Sequence, residues 1–205
     1  MIAGAVVLAL VAAGVLFATD FFKKNPFEKA VDEAPFVTQA RDVASVGGFV
    51  ALFTERDAHK WRLAGGHRLE RFSLDQSGAV FARLTSGVAL NKSTADWGGQ
   101  GLAVDLPPEF NNHTNGQTLE IGFAARASQA NGSSQIDVVY ATNQAGNSGW
   151  KSFQLGPDFQ LYTFTFKVPH VETGYLNGPI VAFTADPQGT GRSVELMGVY
   201  VKPVK

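Results

Sequence analysis

The chain of 205 residues contains no cysteine. That absence excludes disulfide bonds, thiolate metal sites and cysteine nucleophiles. Charged residues are also scarce, at 17% of the chain against about 25% in ordinary soluble domains, and the net charge is only −1. No basic run is longer than Lys23-Lys24. Since binding to nucleic acid depends on neutralising phosphates with clustered lysine and arginine, we exclude nucleic acid as a partner.

Patterns typical of catalysis and metal binding are absent as well. The histidines are dispersed, and no His-x-His or His-Glu-x-x-His spacing indicates a metal site. The chain has no Gly-x-Ser-x-Gly nucleophile elbow, no phosphate-binding loop and no dinucleotide fingerprint. We therefore predict a protein that is not an enzyme and that uses neither a metal nor a cofactor.

The longest uncharged stretch lies at the N-terminus, from Ile2 to Thr19. As a helix it would span about 27 Å, close to the hydrocarbon thickness of a bilayer. The aromatic and lysine residues that follow, at positions 21–24, suit the membrane interface. The sequence therefore predicts a transmembrane anchor over residues 1–22, whose membrane-contacting side chains include Ile2, Phe17, Phe21 and Phe22.

Two other interpretations of this stretch stay open. A cleaved signal peptide usually has a basic n-region and a small-x-small cleavage site. Here no lysine or arginine precedes the apolar run, and the best cut, after Ala18, leaves Leu16 at the −3 position. A buried core helix is the other interpretation, but such helices are seldom apolar on every face at a chain terminus.

The orientation of the anchor is subject to conflicting signals. Lys23, Lys24 and Lys29 follow the apolar run, so the positive-inside rule, read literally, places the rest of the chain in the cytoplasm. The charge bias is small, and the fold class expected below favours the other side. We predict a single-pass membrane protein whose domain is extracytoplasmic, in the periplasm.

Residues 23–60 are predicted to form a partly helical connector, and residues 61–205 a β-sandwich domain. Within the connector, Phe49–Phe53 is too short to cross a membrane and indicates a first strand or a segment packed on the domain. From residue 61 onward, short apolar segments alternate with turn clusters, which is typical of an all-β sandwich or barrel. The nine segments are 67–75, 79–86, 101–106, 118–127, 134–142, 150–155, 160–168, 179–186 and 193–201.

Side-chain periodicity assigns the inner and outer faces of these strands. In the segment 160–168, Tyr162, Phe164 and Phe166 share one face, and threonine alternates with them on the other. Since successive side chains of a strand point to opposite faces, this aromatic row predicts the core. The same period places Leu119, Ile121, Phe123, Ala125, Ile136, Val138, Tyr140, Phe153 and Leu155 inward.

Several of these segments together resemble a known family. Ala125-Arg126 ends one strand, a Trp-x-x-Phe-x-Leu segment occupies 150–155, and Tyr-x-Phe-x-Phe-x-Val-Pro occupies 162–169. With the closing segment 191–204, this pattern resembles the galactose-binding-like jelly rolls of carbohydrate-binding modules of the family 4/9 type. The resemblance covers about residues 65–205 and implies a jelly-roll β-sandwich. The last strand departs from the family, because Leu196-Met197-Gly198-Val199 stands where Ile-Asp-x-Val is frequent.

A saccharide site needs an exposed aromatic plane beside planar hydrogen-bonding groups, because a sugar offers a C–H face and hydroxyl edges. Trp150, Arg126, Asp137 and Gln154 take outward positions, and we predict them as the ligand-binding residues. The competing interpretation is that Trp150 packs beneath a loop while Arg126 and Asp137 form a cross-strand ion pair.

Trp61 and Trp97 also have two interpretations. Each lies close to a turn or connector, where it either lines a pocket at the loop ends or closes one end of the sandwich. Either role leaves the predicted fold unchanged.

The predicted function is that of a membrane-anchored, non-catalytic, carbohydrate-binding-like module of the cell envelope, whose partners are the membrane and a polysaccharide. The alternative is an accessory subunit of a larger membrane complex, with the jelly roll as a protein-docking scaffold. Small residues in the anchor, which favour close helix packing, suit that alternative: Gly4, Ala5, Ala12, Ala13 and Gly14.

Overall fold

The computed structural model describes residues 43, 47–53, 55–74 and 80–204. Within these residues the chain forms β-strands, one short α-helix and two 3₁₀ turns. The strands are β1 (Phe49–Leu52), β2 (Trp61–Leu63), β3 (His67–Leu74), β4 (Val80–Ser86), β5 (Leu102–Asp105), β6 (Thr118–Ala127), β7 (Gln135–Ala141), β8 (Lys151–Gln154), β9 (Gln160–Lys167), β10 (Ile180–Thr184) and β11 (Ser193–Pro203). Helix α1 is Pro108–His113, and the 3₁₀ turns are Glu55–Lys60 and Gly98–Gln100.

Each of the nine short segments predicted as strands forms one, β3 to β11, so the predicted all-β class is confirmed. The short strand β2 and helix α1 were not predicted. In the part of the chain that the structure describes, no helix is both long enough and apolar enough to cross a membrane. The anchor predicted over residues 1–22 lies outside the described residues.

The strands form two antiparallel sheets. The six-stranded sheet has the order β3-β4-β11-β6-β9, with β1 also paired to β11, and the five-stranded sheet has the order β2-β5-β10-β7-β8. The long strand β11 pairs with β4 through its first half and with β1 through its second half, on either side of a bulge near Met197. Because β1 is a strand of this sheet, the sandwich extends to Phe49, within the stretch predicted as connector.

The core lies between the inner faces of the two sheets. Phe123 of β6 is fully buried, and its ring packs against those of Phe153, Tyr162 and Phe183 at centroid distances of 5.1, 5.4 and 5.6 Å. These rings come from both sheets, so this cluster holds the two layers together. The inward positions predicted on β6 and β7 all belong to the cluster between the sheets, whereas their neighbours Ala124 and Val139 belong to separate clusters, which confirms the assignment of faces.

Strand β9 lies at one edge of the six-stranded sheet. Its aromatic residues Tyr162, Phe164 and Phe166 pack against the core but are only half-buried, because no further strand covers that side. Thr163 and Thr165, on the opposite face, are exposed. The aromatic side chains of β9 therefore face the core, as predicted, and the position of β9 at the sheet edge explains why they are only half-buried.

Simple alternation predicts that the outer face of the six-stranded sheet is exposed to solvent, but part of this face is buried. Ala124 and Tyr200 are buried there together with Val43, and Leu161 and Met197 pack around them. Gly122 makes this arrangement possible, because a Cβ at that position would collide with the Tyr200 ring.

We predict that Phe123→Ala lowers the free energy of unfolding by about 3–5 kcal/mol, since it leaves a cavity between the two sheets. The measurement is the denaturation midpoint at an unchanged m-value. Thr163→Ala, at an exposed position of β9, is the control and should change stability by less than about 0.5 kcal/mol. Equal effects of the two substitutions would contradict the assignment of the core.

Candidate functional site

The four residues predicted to bind a ligand do not share one surface. Arg126 lies on β6 in the six-stranded sheet, whereas Asp137 and Gln154 lie on β7 and β8 in the five-stranded sheet, with Trp150 just before β8. The outer faces of the two sheets point away from each other. The expectation that Arg126 neighbours Asp137 is therefore wrong, both for a joint site and for a cross-strand ion pair.

Arg126 instead belongs to a buried ion-pair network. Its Nε donates to Glu195 Oε2 at 2.7 Å, and its guanidinium lies over the rings of Phe159 and Phe81, 4.4 and 5.3 Å from their centroids. Glu195 is 1% exposed and also accepts hydrogen bonds from Arg83 and Ser128. Two arginines thus neutralise a carboxylate that would otherwise be costly to bury. This arrangement makes Arg126 a structural residue of the outer face.

Asp137, Trp150 and Gln154 do share the outer face of the five-stranded sheet. Asp137 lies opposite Ser152, and Gln135 lies opposite Gln154, in the pairing of β7 with β8. The Asp137 side chain is fully buried: its Oδ1 accepts from Gln135 Nε2 at 2.7 Å, and its Oδ2 pairs with Lys92 Nζ at 2.5 Å. Lys92 neutralises the Asp137 carboxylate. Asp137 therefore positions neighbouring side chains and does not offer a free carboxylate to a ligand.

A pair of tryptophans covers the centre of this outer face. Trp97 and Trp150 are half-buried, with ring centroids 6.2 Å apart and planes tilted by 55°. Both pack on a platform of mostly small apolar side chains, which lets large rings lie close to the sheet. The platform consists of Ala103, Val139, Ala141, Ile180 and Ala182.

The loop that carries Trp97 is held at Gln100, which hydrogen-bonds both to the sheet and to the start of the loop. Thr184 Oγ1 on β10 donates to the Gln100 carbonyl at 2.7 Å, and the Asn91 amide donates to Gln100 Oε1 at 2.9 Å. Trp150 is half-buried against the platform and the Trp97 ring, and its buried Nε1 has no hydrogen-bond partner among the described residues. The two rings therefore form one aromatic unit, with Trp97 at the boundary of an open pocket.

That pocket, which we term the hairpin pocket, lies between the Trp97 loop and the β7–β8 hairpin. Its volume is about 270 Å³. The lining combines one indole ring with side-chain amides and contains no charged side chain. The residues that line it are Ala95, Trp97, Asn143, Gln144, Gly146 and Asn147.

The hairpin over residues 142–149 holds its amides in place through local hydrogen bonds. Thr142 Oγ1 donates to the Gly146 carbonyl at 2.9 Å and accepts from the Ala145 amide at 2.9 Å. Asn143 adopts a left-handed backbone conformation (φ 59°), which asparagine tolerates better than most residues. The pocket is therefore formed by a loop with a defined conformation.

The amide groups of the hairpin pocket are only partly used. Asn143 Nδ2 donates to the Gly178 carbonyl at 2.8 Å, and Asn147 Oδ1 accepts from the Gly149 amide at 2.8 Å. The other amide atom of each side chain, Oδ1 of Asn143 and Nδ2 of Asn147, has no partner among the described residues. The lining residues thus offer an acceptor and a donor in a pocket that Trp97 also lines.

A second polar pocket, which we term the Asp186 pocket, lies beyond the other end of β7. Its volume is about 170 Å³. Asp186 is 4% exposed and organises the β10–β11 loop, since its carboxylate accepts from the amides of Gln188, Thr190 and Arg192 and from the Thr190 hydroxyl. The lining residues are Ser133, Ser134, Gln135, Asp186, Pro187, Gln188 and Arg192.

A third pocket, of about 210 Å³, contains Trp61 and has a mainly apolar lining, which includes Leu63, Leu69 and Leu102. The Trp61 ring packs on Phe53, 4.9 Å between centroids, at the side where β2 and β3 lie. Among the described residues, no cluster of three or more His, Asp or Glu side chains forms a metal site.

The sequence alone does not single out Asn143, Gln144 and Asn147 as pocket residues, and it does not favour a pocket role for Trp97. The one signal for this loop in the sequence is its composition, since residues 143–147 are rich in side-chain amides and glycine. Only the folded chain brings the Trp97 loop, some fifty residues earlier, beside that hairpin.

The fold is similar to that of carbohydrate-binding modules, as the resemblance in the sequence predicted. The CBM22-2 xylan-binding domain from Paenibacillus barcinonensis Xyn10C matches 76% of this chain and 99% of its own length, with 17% identity and a TM-score of 0.50. The CBM22-1 xylan-binding domain from the same protein matches 77% of this chain and 94% of its own, with 12% identity and a TM-score of 0.51. An exo-β-agarase matches 76% of this chain over 25% of its own length, with 10% identity and a TM-score of 0.52.

No protein-family model matches the sequence, and a search of curated proteins found no significant match. The comparisons therefore establish the fold, a jelly-roll β-sandwich of the kind found in carbohydrate-binding modules.

The surroundings of Asp186 predict a pH dependence of stability. Burial acts to raise the pKa of Asp186, but hydrogen bonds from Thr190, Arg192 and Gln188 outweigh it and hold that pKa below the ordinary value of 3.8. A carboxylate with a lowered folded pKa stabilises the fold fully above its unfolded pKa, and this stabilisation is lost as the pH falls through the folded pKa. We expect Asp186→Asn to lower the free energy of unfolding by about 1–3 kcal/mol at pH 7.

The same substitution should flatten the acid limb of the stability profile, measured by urea unfolding from about pH 5 to about pH 2. Asp158→Asn, at an exposed turn position, is the matched control and should leave the profile unchanged. A parallel shift of the whole Asp186→Asn profile, with its slope retained, would contradict this role of the carboxylate.

Proposed function

We propose that this domain is a non-catalytic carbohydrate-binding module, and that it binds a neutral saccharide in the hairpin pocket. The observation that carries the proposal is the composition of that pocket, in which the Trp97 ring lies beside the amides of Asn143, Gln144 and Asn147. An indole face suits the C–H face of a sugar ring, and the amide atoms of Asn143 and Asn147 that lack a partner among the described residues suit its hydroxyl edges. Both amide atoms of Gln144 already bond the backbone of Gly174 and Leu176.

The character of the lining narrows the ligand class. No charged side chain lines the pocket, so a uronic acid or phosphate would lose its hydration without gaining a counter-charge. Small-molecule pockets usually measure about 300–1,000 Å³, and at about 270 Å³ this one is smaller. A pocket of that size suits one or two sugar rings.

The proposal of binding without catalysis follows from the same lining. General acid–base catalysis needs a titratable side chain within hydrogen-bond distance of the reacting atoms, whereas the hairpin pocket is lined by an indole, amides and small apolar groups. The similarity of the fold to two xylan-binding domains supports the choice of neutral polysaccharide as the ligand class.

We further propose that residues 1–22 anchor the domain in a membrane and that the domain lies on the periplasmic side, where it contacts a polysaccharide of the cell envelope. The support for this part is the uncharged run from Ile2 to Thr19. Docking to other membrane subunits is the competing proposal for the same surface.

The test of saccharide binding uses the full chain, purified in mild detergent, on an array of neutral and acidic oligosaccharides that includes xylo- and cello-oligosaccharides. Binding to neutral members is expected. Trp97→Ala should weaken it at least about tenfold, equivalent to about 1.4 kcal/mol, because the main stacking surface is removed.

Thr163→Ala, on the outer face of the other sheet, is the matched control and should bind as the unchanged chain does. Unaltered thermal unfolding of Trp97→Ala would show that its fold persists. Full affinity in Trp97→Ala, or a preference for acidic sugars, would contradict the proposed site. Absence of any saccharide binding, with membrane subunits co-purifying in stoichiometric amounts, would favour the docking role.

The anchor is tested by deleting residues 1–22 and comparing the fractionation of the two chains after alkaline extraction. The full chain should stay with the membrane and the truncated chain should be soluble, since the apolar run provides the membrane affinity. Protease added to spheroplasts should digest the domain. A mature chain that begins at Thr19 would instead indicate a cleaved signal peptide, and protection from the protease would place the domain in the cytoplasm.

A further inference from the structure

The hairpin pocket and the Asp186 pocket lie at opposite ends of the same two strands. Asn147 of the hairpin pocket bridges Ala141 at the end of β7, and Gln135 at the start of β7 lines the Asp186 pocket. At a rise of about 3.4 Å per residue, the six steps from Gln135 to Ala141 cover about 20 Å. The two pockets are therefore separated by the length of one strand.

Polar side chains lie on the outer face between the two pockets. Along β8, Trp150, Ser152 and Gln154 point to the same outer face, and Ser152 and Gln154 are exposed. Lys92 Nζ approaches Ser152 Oγ at 3.4 Å, and Gln154 Nε2 approaches Gln135 Oε1 at 3.5 Å. Hydroxyl, ammonium and amide groups thus follow the aromatic unit, at spacings set by the strand.

The Asp186 pocket adds hydrogen-bond donors at the far end of this surface. The Asp186 carboxylate is occupied by backbone amides and the Thr190 hydroxyl. The remaining polar groups come from Ser134, Gln188 and Arg192, which are exposed. The Arg192 guanidinium has no ion pair or hydrogen bond with any described residue, so its donors face solvent and suit the hydroxyl oxygens of a sugar.

We infer that the outer face of β7 and β8 is a binding strip for an extended saccharide chain, with one end in the hairpin pocket and the other in the Asp186 pocket. This inference rests on the proposed function. The strip runs along the strand direction, and β8 is the last strand of its sheet. A linear chain lying along it stays open to solvent on the β8 side.

A ligand that fills both pockets gains affinity over one that fills only the first, because the second contact forms within the same complex. Binding of the full chain to a disaccharide, a tetrasaccharide and a hexasaccharide of the xylo- and cello-series is therefore measured by titration calorimetry. Affinity should rise at least about tenfold from the disaccharide to the hexasaccharide.

The double variant Gln188→Ala/Arg192→Ala removes exposed donors from the Asp186 pocket and leaves Asp186 intact. It should cancel most of the gain for the hexasaccharide and change disaccharide affinity less than about twofold. Gln129→Ala, at an exposed turn position outside the pocket lining, is the control and should retain the full gain.

The outcomes separate the strip from the proposed function. Equal affinity for all chain lengths, with Trp97→Ala still impaired, would overturn the strip and leave the hairpin pocket as the only saccharide contact. A length-dependent gain that the double variant retains would overturn the assignment of the far end to the Asp186 pocket. Absence of binding to every member of both series would overturn the proposed function and the strip together.

Discussion

The packing of large side chains between two sheets is the interaction on which the rest of this structure depends. Phe123, Phe153, Tyr162 and Phe183 meet there from both layers. Because a strand alternates its side chains between two faces, fixing these rings inside also fixes which residues point outward. The candidate site consists of outward residues and loops, and it inherits its positions from the buried ones.

The two outer faces then use their side chains in different ways. On the six-stranded sheet, Arg126 and Arg83 neutralise the buried Glu195, and two phenylalanine rings cover Arg126. On the five-stranded sheet, a platform rich in alanine lets Trp97 and Trp150 lie close to the strands. On the six-stranded sheet these charged groups bind one another. On the five-stranded sheet, amide groups and an aromatic ring line an open pocket.

Much of this fold was predictable, because alternation is a local property. The strands from β3 to β11 follow from short apolar segments bounded by turn residues, and the inward residues of β6 and β7 follow from period two. Strand β2 has three residues, too few for a visible alternation. The grouping of Arg126 with Asp137 failed for a different reason: alternation states that both residues point outward, but it does not state to which sheet each strand belongs.

Residue order along the chain determined the strand segments, their inner and outer faces, the uncharged N-terminal run, and the absence of cysteine chemistry. The tertiary structure alone decided that β6 and β7 lie in different sheets, that Glu195 accepts from Arg126, and that Trp97 lies beside the hairpin of residues 142–149. The physical reason is the separation along the chain of the residues that each feature depends on. Alternation needs only neighbouring residues, whereas these contacts join positions from about 45 to 70 residues apart, which meet only after both sheets have closed on the core.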